Sequence, residues 1–126
     1  MNIMTTQEVA DQLVKLCREE KYQEAYDLYA DDAVSIEMDG MPGEKITTGK
    51  QNIWNGYLQW AEGIEEIHGG SVGDAMVAAN HFVVPMSMDA TFKEGGRWAF
   101  DELCVYQVEN GKIKQAQYFY EVPEMG

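Results

Sequence analysis

Positive charge is scarce in this chain. Nine lysines and arginines stand against 22 aspartates and glutamates, a formal charge of −13. So acidic a surface repels phosphate backbones and anionic lipid, which sets nucleic acid and membrane surfaces aside as partners. Cysteine is sparse too: Cys17 and Cys104 are the only two, each inside an apolar segment. Two thiols so far apart make no disulfide framework and suit a reducing compartment. The histidines, His68 and His81, lack the close helical spacing of zinc ligands, so no metal site is expected. No apolar run approaches the ~20 residues of a membrane span. "MNIMTTQEVADQ" contains no basic region followed by an apolar stretch, so the expected location is cytoplasmic. The glycine-bearing "HGGSVG" and "EGGR" lie between strand patterns rather than between strand and helix, so neither is a phosphate loop and no organic cofactor is implied.

Apolar and aromatic side chains are plentiful. Hydrophobic residues make up 45% of the 126 positions, including seven Tyr, four Phe, three Trp and eight Met. That is enough for one core and a lined pocket, and too little for two domains, so residues 1–126 are read as one domain. Thr5 and Glu8 have capping-box spacing, and Val9, Leu13, Leu16 and Cys17 follow on one helical face. Tyr22, Ala25, Tyr26 and Tyr29 share a face of a second helix. A strand follows around Val34 to Glu37, then the turn-rich "DGMPGEK". Thr48 and Gln51 repeat the capping-box spacing before a third helix with the stripe Ile53, Tyr57, Trp60, Ala61 and Ile64. Four period-two segments, roughly 66–79, 81–93, 97–109 and 112–122, complete an α+β pattern.

Two tight turns let the register be argued. Gly95-Gly96 as a two-residue turn pairs Glu94 with Arg97, and Asn110-Gly111 pairs Glu109 with Lys112. Alternation then places Val84, Met86, Met88, Ala90 and Phe92 on one face with Ala99, Asp101, Leu103, Val105, Ala116, Tyr118 and Tyr120. This apolar face is expected beneath the helices, with Asp101 as its lone acid. The opposite face, with Trp98, Phe100, Tyr106 and Phe119 among polar residues, is expected outside, where its aromatics suit a homodimer. A slip of one residue in either turn would exchange the faces and bring Glu102 inside.

The order of these segments, with "LYADDAV", "GKQNIWNGY" and the closing "ENGKIKQAQYFYE", resembles the nuclear transport factor 2-like superfamily, which includes ketosteroid isomerase and the SnoaL-like polyketide cyclases. The resemblance covers nearly the whole chain. It implies a cone-shaped α+β fold: N-terminal helices packed on a curved mixed, mostly antiparallel sheet, around an apolar pocket. In ketosteroid isomerase an aspartate base works beside a tyrosine and a protonated aspartate that steady an oxyanion. Carried onto this chain, the base falls on Glu37 and pocket tyrosines fall on Tyr29 and Tyr57. The first-helix tyrosine is missing, its place falling near Gln12 or Leu13. Leu103 stands where the protonated aspartate would be, with Asp101 two residues earlier. The expected site therefore has Glu37 and Asp101 as catalytic residues, and Tyr29, Tyr57, Trp60, Met86, Met88, Leu103, Tyr118 and Tyr120 around a small apolar ligand. The chemistry implied is cofactor-free isomerisation or cyclisation. The alternative is a non-catalytic ligand-binding or dimeric interaction module of the same fold.

Overall fold

The structure, a computed structural model, describes residues 3–122. Helix α1 (Thr6–Arg18) starts as its sequence requires. The Thr5 hydroxyl accepts from the Glu8 amide at 3.1 Å, and the Glu8 carboxylate accepts from the Thr5 amide at 2.9 Å. Its apolar stripe, Val9, Ala10, Leu13, Val14 and Leu16, is buried. Each large aliphatic in that stripe contributes roughly 1.5–3 kcal/mol relative to an exposed one. The second helix, α2 (Tyr22–Tyr26), is shorter than its aromatic spacing suggests. Tyr29 leaves it to open strand β1 (Tyr29–Ile36), because the Leu28 carbonyl accepts from Ile113 and commits the chain to the sheet.

Strand β2 (Ile46–Thr48) returns antiparallel to β1. Helix α3 (Lys50–Glu62) follows, but not from the expected capping box. Thr48 is held in β2, and the residue before the helix is Gly49 at φ +99°, a conformation that favours glycine. Ile64, placed by its spacing in the helical stripe, instead begins strand β3 (Ile64–Val72). The first long period-two segment is thus broken into β3 and β4 (Met76–Ala78). Strands β5 (His81–Phe92), β6 (Gly96–Glu109) and β7 (Lys112–Tyr120) complete a seven-stranded sheet in the order β2-β1-β7-β6-β5-β3, with β4 also on β5. Among the described residues only the β1–β7 pairing is parallel.

The register corrects the sequence reading at both hairpins. At the first, Phe92 pairs with Gly96, leaving Lys93, Glu94 and Gly95 as a three-residue loop. Both glycines take positive φ, +95° and +79°, and the Lys93 amide is drawn to the Gly63 carbonyl at the end of α3. Met88 therefore faces Phe100 and Met86 faces Glu102. At the second hairpin Glu109 does pair with Lys112, across Asn110 and Gly111 at positive φ. A bulge then shifts the ladder between Gln107 and Val108, so Glu102 faces Tyr120 and Cys104 faces Tyr118. The two shifts act together: β5 and β7 keep their expected faces and β6 alone turns over.

Burial follows the corrected register. Phe82, Val84, Cys104, Tyr106, Val108, Ile113 and Ala116 are buried beneath α1, with the Phe82 and Tyr106 rings stacked at 4.8 Å. Towards the other end of the same face, Phe92, Trp98, Phe100, Glu102 and Tyr120 are only partly buried, and Trp60 on α3 is 37% exposed. The layer between helices and sheet is closed at one end and open at the other. No helix among the described residues is long and apolar enough to cross a membrane.

Candidate functional site

The open end is where the polar chemistry collects. Glu37 sits just beyond β1, its amide donating to the Lys45 carbonyl at 2.8 Å. That anchor comes from the β1–β2 hairpin and fixes the backbone from which the carboxylate projects. The Tyr120 hydroxyl, from the end of β7, donates to Glu37 Oε1 at 2.9 Å. Burial pushes the Glu37 carboxyl upward, and the tyrosine's hydrogen bond opposes that by favouring the anion.

Glu102 lies beside this pair on the inner face of β6, directly across from Tyr120 and Met86. Burial drives its carboxyl up to about 7, the Glu37 charge adds to the rise, and the neighbouring Cys104 thiol pulls the other way. Two carboxylates near one tyrosine thus differ in proton affinity. At Glu37 the phenol offsets part of the rise; Glu102 has only the thiol and, at about 7, is about half protonated at neutral pH. The Tyr120 phenol is pushed up by burial and by both carboxylates, so it remains a hydrogen-bond donor.

Aromatic rings form the wall. From α2 and α3, Tyr26, Trp54, Tyr57 and Trp60 touch in sequence, with Trp54 and Tyr57 stacked at 5.4 Å. Trp60 meets Phe92 at 6.1 Å, Phe92 meets Trp98 at 6.2 Å, and Trp98 stacks on Phe100 at 4.2 Å. Tyr120 closes the series, 6.0 Å from both Trp98 and Phe100. Burial lifts the Tyr57 phenol to about 12. Deeper in, the Tyr29 and Tyr118 hydroxyls lie 3.3 Å apart, in range of one hydrogen bond.

The expected residues therefore divide. Glu37, Tyr29, Tyr57, Trp60, Met86, Met88, Tyr118 and Tyr120 lie on the helix-covered side or on the helices facing it. Asp101 and Leu103 do not. With β6 turned over, Asp101 is exposed opposite Ser87 on the outer face, and Leu103 is 50% exposed beside it. Asp101 borders two hollows, of about 720 and 310 Å³; Met88, Trp98 and Phe100 also line the larger, and Met86 and Glu102 the smaller. The pairing of Glu37 with Asp101 is thereby replaced by Glu37 with Glu102. Trp54, outside the stripe expected for this helix, also joins the aromatic series. The missed residues, Trp98, Phe100, Glu102 and Cys104, carried a signal of their own. The even-numbered positions of this strand continue into Tyr106 and Val108 and are more aromatic than the odd-numbered ones. The first-helix position is settled as well: Leu13 is core and Gln12 is exposed, so no hydroxyl reaches the cleft from there.

A helix-lined, open, mixed sheet with its polar groups at the wide end defines the nuclear transport factor 2-like, or ketosteroid isomerase-like, class. Within it the chain belongs to the SnoaL-like domain family, which matches residues 4–120. A protein classed as a SnoaL-like polyketide cyclase from Mesorhizobium loti is 33% identical, with 93% of this chain and 100% of that chain covered and a TM-score of 0.85. An NTF2-like protein from Burkholderia thailandensis shares the fold at 15% identity, covering 94% and 92% of the two chains with a TM-score of 0.81. A protein of ketosteroid isomerase-like fold from Catenulispora acidiphila, solved with trimethylamine, aligns at 18% identity over 78% and 73% of the chains with a TM-score of 0.64. No functionally curated protein matches the sequence at a significant level.

Proposed function

We propose that this domain binds a small molecule in the aromatic cleft and moves a proton on it, in the manner of an isomerase or cyclase. The observation that carries the reading is the Glu37–Tyr120–Glu102 cluster: a carboxylate held at 2.9 Å by a phenol, beside a second carboxyl raised to about 7. Unequal proton affinities in adjacent groups are what acid–base catalysis needs near neutral pH. Glu37 takes a proton from a carbon next to a carbonyl. Protonated Glu102 donates a hydrogen bond to the oxygen where the charge develops, and Glu37 then returns the proton to a different atom of the same molecule. Tyr120 holds the base in place. No cofactor is needed for a step in which the proton leaves and returns.

Deuterium exchange tests this. Enolisable ketones, neutral and ammonium-bearing, are incubated with the protein in D2O and followed by NMR. Exchange above the buffer rate that is lost in Glu37→Gln supports the base. Binding without exchange refutes catalysis and leaves the second reading, a ligand-binding module. The absence of a hydroxyl from α1 favours that second reading, since Leu13 occupies the core instead.

We also propose a homodimer through the outer sheet face. The turnover of β6 removes Trp98, Phe100 and Tyr106 from that face, but Leu103 joins Phe119 there, 50% and 43% exposed. Light scattering of the wild type and of Leu103→Asp checks it: a wild type of one chain mass refutes the dimer.

A further inference from the structure

Glu37 and Glu102 share the cleft without a counter-charge. None of the ion pairs among the described residues uses either carboxylate. Burial raises both, and what opposes it comes from Tyr120 and Cys104, with no lysine, arginine or histidine acting on either. A carboxylate removed from water is costly unless it is paired. Elsewhere in the fold the acids that meet cations do so at the surface, as Asp74 does with Arg18 and Asp39 with Lys45.

The wall beside these carboxylates has the same electrostatic sign. Trp60, Phe92, Trp98, Phe100 and Tyr120 run side by side with centroids 4.2 to 6.2 Å apart. All five are at least partly open to solvent. Ring faces carry negative potential and attract an ammonium within about 6 Å. The net charge of −13 gives the surrounding field the same sign and favours cations on approach. A neutral ligand can accept a hydrogen bond from protonated Glu102 but leaves the Glu37 charge without a counter-ion, and an anion would be repelled. Only a cation satisfies the carboxylates and the rings together.

We infer that the ligand of this cleft is an organic cation, an alkylated ammonium on an apolar body, with the nitrogen beside Glu37 and Glu102 and its alkyl groups against Trp98 and Phe100. The inference rests on the cleft being the ligand site, as proposed above, and adds the substrate class.

The test compares two probes of one shape. Choline and 3,3-dimethylbutan-1-ol differ by a nitrogen for a carbon and hence by one charge. Each is titrated into the intact protein at low salt, which leaves the attraction unscreened, and followed by tryptophan fluorescence and calorimetry. Choline is expected to bind at least about tenfold more tightly. Removing both carboxylates together, Glu37→Gln with Glu102→Gln, is expected to cut that preference several-fold, leaving what the rings contribute, and far-UV circular dichroism of the double variant controls for folding. Equal binding of the two probes, or a preference undiminished in the double variant, overturns the cationic class and leaves the cleft a ligand site. Binding of neither, up to about 100 mM, overturns the class and the cleft reading together.

Discussion

Replacing Glu102 by glutamine keeps the size of the side chain and removes its charge, and the consequence for stability depends on pH. In the folded protein this carboxyl titrates at about 7, against 4.5 for an ordinary glutamate. Between those values the native state holds more protons than the unfolded chain, so stability falls as pH rises through the window. Below about 4.5 the wild type carries a neutral carboxyl in both states, and the glutamine variant should match it closely. Above about 7 the wild type must bury a charge that the variant lacks. A shift of this size corresponds to about 3 kcal/mol at most, reduced by water entering at the open end of the cleft. For a domain of 126 residues that is a melting-temperature gain of up to about 10 °C. Thermal unfolding of both proteins at pH 4, 6, 8 and 9, followed by circular dichroism, gives the curve. The expected result is coincidence at pH 4 and a widening advantage for Glu102→Gln up to pH 8. Parallel curves would refute the reasoning, because they would mean that Glu102 titrates alike in the folded and unfolded chain.

Four further substitutions follow from the same geometry. Tyr120→Phe removes the 2.9 Å donor to Glu37, so the Glu37 carboxyl should titrate higher in a 13C NMR titration; no change would show that the hydroxyl does not hold the base. Gly111→Ala should cost at least about 2 kcal/mol in urea unfolding, because the residue is at φ +76° and a Cβ there would lie 2.5 Å from Ile3 Cγ2. Gly95→Ala, at φ +95° with open space around it, should cost only about 1 kcal/mol, and equal losses would contradict the packing of the N-terminal segment over the β6–β7 turn. Asp101→Asn, on the outer face, should leave the titration of Glu102 unmoved; a clear shift would put the two on one face.

Much of the fold could be read from the sequence because its signals are local. The Thr5–Glu8 capping box, the α1 stripe and the Asn110-Gly111 turn depend on residues a few positions apart, and each forms as its chemistry dictates. The end of α2 was not readable, since Tyr29 continues the helical spacing but is drawn into the sheet by Ile113, far along the chain. The start of α3 was missed because Thr48 had a competing role in β2.

The candidate site turned on smaller matters. Two adjacent glycines permit either a two-residue or a three-residue loop, and the choice depends on the Lys93 amide meeting Gly63 in three dimensions. The bulge at Gln107/Val108 likewise has no glycine to announce it. Each shift inverts the parity of β6 against a neighbour, so Glu37 and the tyrosines of β7 lie on the expected face while Asp101 and Glu102 exchange faces. The strand's own composition pointed the other way, with Trp98, Phe100, Cys104 and Tyr106 all on the even face.

The account depends most on Glu102 sharing the cleft with Glu37. A 13C NMR titration of the glutamate side-chain carboxyls, assigned through Glu102→Gln, reads this directly. Glu102 should titrate at about 7 in the wild type and move downward in Glu37→Gln, where the neighbouring charge is gone. A Glu102 that titrates near 4.5 in both proteins would place it in water, away from Glu37.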